Sequence, residues 1–131
     1  MPKKIDRNKT REDWCKQLEA LFDQIATWAQ EERWLINRDE KMLSEDGLGE
    51  YMAPDLVIRL PEGRITVDVI GRNVVGAQGR VDISAFPSLH RMILVRMGGK
   101  WKIKTDSMIE WPRPWGKKAF VEVAKVLATA R

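Results

Sequence analysis

Five short runs of β-branched and other apolar residues follow one another between positions 51 and 105, and the gaps between them constrain the fold most. The runs cover roughly residues 51–60, 64–71, 79–86, 89–97 and 100–105. Their connections are Pro61-Glu62-Gly63, the stretch around Gly76 to Gly79, Pro87-Ser88 and Gly98-Gly99. A parallel crossover needs a dozen residues or more, so runs joined this tightly predict antiparallel pairing. Gly98-Gly99 is the clearest hairpin signal, because both central residues of a tight primed turn need positive φ. Trp34, Leu35 and Ile36 add a short strand ahead of a loop marked by Asp46-Gly47 and Gly49.

Helical periodicity brackets this sheet. Trp14, Leu18, Leu21, Phe22, Ile25, Trp28 and Ala29 recur at three- and four-residue steps, which puts one apolar stripe on a helix over about residues 11–32. Thr10, followed three residues later by Asp13, reads as its cap. Near the other end, Phe120, Val123, Ala124 and Leu127 give residues 117–130 a second helical stripe. The expected fold class is therefore α+β, with an N-terminal amphipathic helix, a five- to six-stranded antiparallel meander sheet and a C-terminal helix. Residues 1–9, with Lys3, Lys4, Arg7 and Lys9 and little that is apolar, read as a flexible basic arm. Residues 10–131 form a single α+β domain, since no repeat or linker divides them.

Composition narrows the function classes. The 131 residues suffice for a core that needs no metal or disulfide staple. No apolar run reaches the roughly 20 residues of a membrane span, and the charged N-terminus does not look like a secretory signal. A single cysteine, Cys15, suits a reducing compartment, so the expected location is cytoplasmic. The net charge of +4 permits a nucleic-acid partner without requiring one. Six tryptophans are many for this length and point to a large core, a binding surface or both. One histidine, His90, and one distant cysteine make a zinc site a poor fit, and no glycine loop has phosphate-cradling spacing. No cofactor is expected.

One stretch raises the question of an enzyme. In APDLVIRLPEGRITVDVIGR, residues 53–72, a Pro-Asp is followed by a hairpin whose second strand carries Asp68. Nucleases of the PD-(D/E)XK type hold Mg²⁺ with such carboxylates, and a lysine two residues beyond the second acid helps activate water. Here that position is Ile70, Arg72 is too strong a cation to act as a base, and no crossover helix follows. A turn at Glu62-Gly63 would set Leu60 opposite Ile65, Ile58 opposite Val67 and Leu56 opposite Val69. Asp55 and Asp68 would then be diagonal neighbours, whereas a bulge at Gly63 would separate them. The competing reading is an ordinary hairpin whose two aspartates sit on a solvated face beside Arg59 and Arg64.

Two further segments suggest binding. Lys100, Lys102 and Lys104 alternate with Trp101, Ile103 and Thr105, so the three lysines share one strand face. Across the Gly-Gly turn they face Met97, Val95 and Ile93, whose apolar surface lysine stems can cover. With Arg91 nearby, this ladder could track phosphates. As a structural element it would protect an edge strand. The segment MIEWPRPWGKKAF carries Arg113 between Trp111 and Trp115, with two prolines fixing an extended path. It suits either a partner or the docking of the last helix onto the sheet.

The runs GRVDISAFP and GGKWKIKTDSMIEWPRPW, with the closing amphipathic helix, resemble small uncharacterised bacterial proteins over residues 34–131. The resemblance implies a compact bacterial domain and no particular activity. The residues themselves favour a non-enzymatic binding or assembly module that holds a protein partner through a Trp-rich or basic surface. The binding residues expected are Lys100, Lys102, Lys104, Arg91, Trp111, Arg113 and Trp115. A nucleic-acid-associated complex is compatible with this reading, and a divergent metal-dependent nuclease built on Asp55 and Asp68 is the alternative.

Overall fold

The computed structural model describes residues 7–105 and 112–130. Residues 1–6 of the expected basic arm, and Trp111, lie outside the described residues. Helix α1 spans Arg7–Glu31 and helix α2 spans Lys117–Thr129. Between them lie β1 (Leu35–Glu45), β2 (Gly49–Leu60), β3 (Gly63–Gly71), β4 (Arg80–Phe86), β5 (Arg91–Met97), β6 (Lys100–Thr105) and the two-residue β7 (Arg113–Pro114). The strands form one antiparallel sheet in chain order, β1 to β7. The α+β class and the meander order are as expected, and the described strands number seven rather than five or six.

Both helices bury the stripes read from the sequence. Trp14, Leu18, Leu21, Phe22, Ile25 and Ala29 of α1 are buried, as are Phe120, Val123, Ala124 and Leu127 of α2. Helix α1 lies on β1 and β2, and α2 lies on β3 and β4. They meet through an aromatic cluster in which Trp28 is 5.8 Å from Trp115 and Phe120 is 5.9 Å from both Trp34 and Trp115. The strands supply Leu56, Ile58, Ile65, Val67, Val81, Ile83, Leu94 and Ile103 to the same core. Helix α1 starts at Arg7, so Thr10 lies within its first turn instead of capping it.

The β2–β3 register differs from both versions expected. Leu60 lies opposite Gly63, Ile58 opposite Ile65 and Leu56 opposite Val67, which places Asp55 directly opposite Asp68. The slip from the first expected register is two residues, so every side chain keeps its face. The cause is Gly63. It belongs to the strand and does not take positive φ. A Cβ there would sit 2.8 Å from the carbonyl oxygen of Ala128 at the end of α2. Glycine serves here for close backbone approach and not for a turn, leaving Pro61-Glu62 as the two-residue connection. Gly98 and Gly99, by contrast, have φ of 58° and 75°, as the tight turn requires.

Strand β1 is much longer than the three residues expected. Its 11 residues, LINRDEKMLSE, lie on the sheet edge and are mostly exposed, so they lack the alternation that marks a half-buried strand. Its tip is pinned by a partly buried network. Trp14 Nε1 donates to the Tyr51 hydroxyl at 3.1 Å, and that hydroxyl donates to Glu45. Glu45 in turn accepts the backbone N–H groups of Arg72 and Asn73 at 3.0 and 2.9 Å. Burial and the Glu45 carboxylate push the Tyr51 hydroxyl well above its ordinary pKa.

Candidate binding surface

The helices leave the other sheet face open, and strand register sorts its side chains into rows. Arg59, Arg64 and Phe86 stand side by side on β2, β3 and β4. A second row runs Asp39, Asp55, Asp68, Asp82, Ile93 and Lys104 across β1 to β6. Adjacent like charges in a sheet repel. Two aspartates of the row, Asp68 and Asp82, are matched by cations of the same chain. Lys41 of β1 pairs with Asp68. Asp82, only 4% exposed, accepts Arg80 Nε at 2.7 Å and lies 3.6 Å from Arg91 Nη1. A carboxylate this buried needs such partners to remain in place.

Asp55 and Asp68 are thus closer partners than the sequence suggested, and a lysine does reach Asp68, though from β1 and not from two residues downstream. Nothing in the local sequence marks Lys41 for that position, because it arrives through the pairing of an edge strand. Among the described residues no three His, Cys, Asp or Glu side chains converge as a metal site would require. Among the described residues no crossover helix intervenes between the strands of the meander.

The lysine strand differs electrostatically. Lys100, Lys102 and Lys104 lie opposite Met97, Val95 and Ile93, the pairing expected from the Gly-Gly turn. Among the described residues none of the three meets a carboxylate. Their stems flank Ile93 and Val95, which are 5% and 9% exposed although they face the open side. Arg91 does not extend this ladder, because its guanidinium turns to Asp82.

At the start of β6 the lysines meet the tryptophans. Among the described residues strand β7 pairs with Lys102 and Ile103 alone, so the β6 edge at Lys100 and Trp101 carries no paired strand there. There Gln24, Trp28, Lys100, Trp101, Lys102 and Trp115 line a cleft of about 530 Å³. Trp115 Nε1 is buried without a hydrogen-bond partner among the described residues. Trp28 and Trp101 were expected only as core and strand residues. Their place in the cleft depends on how α1 crosses the sheet edge, which periodicity does not report.

Arg113 lies apart from this cleft. It lines a separate groove of about 360 Å³ between β6 and α2, with Met92, Ile103, Val123 and Val126. Trp115 packs against Trp28 and Phe120, and so bridges the two helices. No helix among the described residues is long and apolar enough to cross a membrane. In comparisons with known proteins, no family model, curated protein or solved structure matches the chain.

Proposed function

We propose that this chain is a non-enzymatic binding module whose β6 edge holds an acidic, extended segment of a protein partner. The observation that carries this reading is the cleft where Lys100 and Lys102, unneutralised, meet Trp28, Trp101 and Trp115. A peptide can add main-chain hydrogen bonds along an open strand edge, while side-chain pockets supply selectivity. The buried indole N–H of Trp115 lacks an acceptor that a peptide carbonyl or carboxylate would supply. Complementary charge then sets the speed and orientation of encounter.

Single-stranded nucleic acid fits less well. Base binding needs free aromatic faces. Here Trp28 packs on Trp115 at 5.8 Å, Trp101 packs on Trp14 at 6.0 Å, and the Arg96 guanidinium lies 5.5 Å from the Trp101 ring centre. Indole edges remain for a ligand, not stacking platforms. The same proposal puts the module in a bacterial cytoplasm, a reading supported by the single cysteine and the tail resemblance alone.

The test is a tryptophan-fluorescence titration with a glutamate-rich, tyrosine-containing peptide and, separately, with a single-stranded oligonucleotide. The expected result is salt-sensitive peptide binding that weakens roughly tenfold or more in Lys100→Glu/Lys102→Glu. Tighter binding of the oligonucleotide, or an unchanged peptide affinity in the double variant, would refute the reading. The second reading, a metal-dependent nuclease, is favoured by one observation, the Asp55–Asp68 pair with Lys41 beside it. It ranks second because the Lys41 ammonium already occupies the Asp68 carboxylate.

A further inference from the structure

The Arg59–Arg64–Phe86 row lies two to four strands away from the lysine strand β6, and its chemistry is different. Directly opposed residues of antiparallel strands hold their Cβ atoms about 4.5–5.5 Å apart. Arg59 and Arg64 are opposed in this way, so two guanidiniums share one patch. Among the described residues neither meets a carboxylate, and Glu62 in the turn between them is exposed and pairs with neither. Elsewhere on the open face the arginines are compensated: Arg80 and Arg91 by Asp82. An uncompensated arginine pair is the exception on this sheet.

The row also shows preorganisation. Arg64 lies over the Phe86 ring, its Cζ 4.3 Å from the ring centre, which fixes the plane of the guanidinium. Arg64 Nε is buried and has no hydrogen-bond partner among the described residues. A guanidinium held in one plane suits an oxoanion that accepts two parallel hydrogen bonds from it. The second guanidinium favours a dianion over a monoanion. Arg59, Leu60, Gly63, Arg64 and Phe86 line a shallow, open depression of about 370 Å³ beside it. Phe86 is 54% exposed, which leaves aromatic surface beside the cationic pair.

We infer that the Arg59–Arg64 pair and Phe86 form a site for the phosphoryl group of an aryl phosphomonoester. The dianionic oxygens take the two guanidiniums, and the aryl body packs against the exposed part of Phe86. Free phosphate offers the same dianion without the aryl body, so the two sources separate experimentally.

The experiment follows the Arg64 Nε–Hε signal by NMR while inorganic phosphate or phenyl phosphate is added at a pH roughly two units above the phosphomonoester second pKa of about 6, where inorganic phosphate is mostly dianionic as well. Both ligands are expected to shift that signal, with phenyl phosphate binding more tightly. Arg64→Gln and Arg59→Gln each weaken binding roughly tenfold, followed through backbone amides. Arg64→Lys keeps the charge but not the fork, and also loses affinity. Phe86→Leu weakens phenyl phosphate more than inorganic phosphate. The inference is overturned if neither ligand shifts the signal, if affinity survives in the glutamine variants, or if phenyl phosphate binds no more tightly than phosphate. Should Arg64→Gln fail to fold, the exposed Arg59→Gln carries the same comparison.

Discussion

Replacing Gly63 with alanine tests the packing that sets the β2–β3 register. The added Cβ would lie 2.8 Å from the Ala128 carbonyl oxygen, well inside the 3.4 Å at which ordinary contact begins. The obstacle is backbone, so no side-chain rotation relieves it. Overpacking of this kind costs about 1–3 kcal/mol. The unfolded chain loses freedom when glycine is replaced, which returns about 0.4–1 kcal/mol. The expected net loss is therefore about 1–2 kcal/mol, read as a lower urea midpoint at constant slope. A truncation after Leu127 removes the Ala128 carbonyl while keeping the buried Leu127 side chain. In that background Gly63→Ala should cost nothing, and the difference between the two backgrounds isolates the contact. Gly63→Asn distinguishes the alternative, because asparagine suits a left-handed turn position but not a crowded strand. Tolerance of asparagine, or an alanine cost equal in both backgrounds, would refute the close-approach argument.

Two other outcomes follow from the structure. Phe22 is fully buried between α1 and the sheet, so Phe22→Ala should destabilise by about 3–5 kcal/mol in chemical denaturation; a loss under about 1 kcal/mol would contradict that packing. If Asp55 and Asp68 held a catalytic metal, Mn²⁺ would raise the melting temperature by mass action, and Asp68→Asn would abolish both that shift and plasmid nicking. The expected outcome is no metal-dependent shift, since Lys41 is already paired with Asp68.

What was legible in the sequence follows burial. The stripes of α1 and α2 and the alternating strands β2 to β6 announce themselves because one face of each meets the core. Strand β1 does not, because both of its faces are largely exposed and its pairing partner, not its own pattern, makes it a strand. The Gly98-Gly99 turn and the β5–β6 register were readable because positive φ at two adjacent positions admits few alternatives. Gly63 misled for the complementary reason: glycine is also used where backbones approach closely, and the approaching Ala128 is 65 residues away in the chain. The lysines of β6 were legible as a ladder. Their meeting with Trp28 and Trp115 was not, since it requires α1, β6 and the start of α2 to converge. The Arg59–Arg64 pair was visible only as two basic residues flanking a hairpin, and their opposition follows from the register that Gly63 sets.

The two proposed sites should act independently, for a reason set by sheet geometry. Strands β3 and β6 are separated by three inter-strand steps, roughly 14 Å at the usual spacing. That exceeds the screening length of about 8–10 Å at moderate ionic strength. The intervening row adds little field, because Asp68 and Asp82 are matched by Lys41, Arg80 and Arg91. Occupation of the arginine pair by phosphate therefore leaves the charge felt at Lys100 and Lys102 nearly unchanged. Removing one of those internal cations tests this: in Lys41→Met, the Asp68 carboxylate loses its partner while standing directly between Asp55 and Asp82. Asp68 lies four residues from Arg64 along β3, roughly 13 Å, and about as far from β6; both distances exceed the screening length, so Lys41→Met should leave phosphate binding and the lysine cleft nearly unchanged. Equal losses at both sites would mean that the variant disturbs the sheet as a whole and not its local charge.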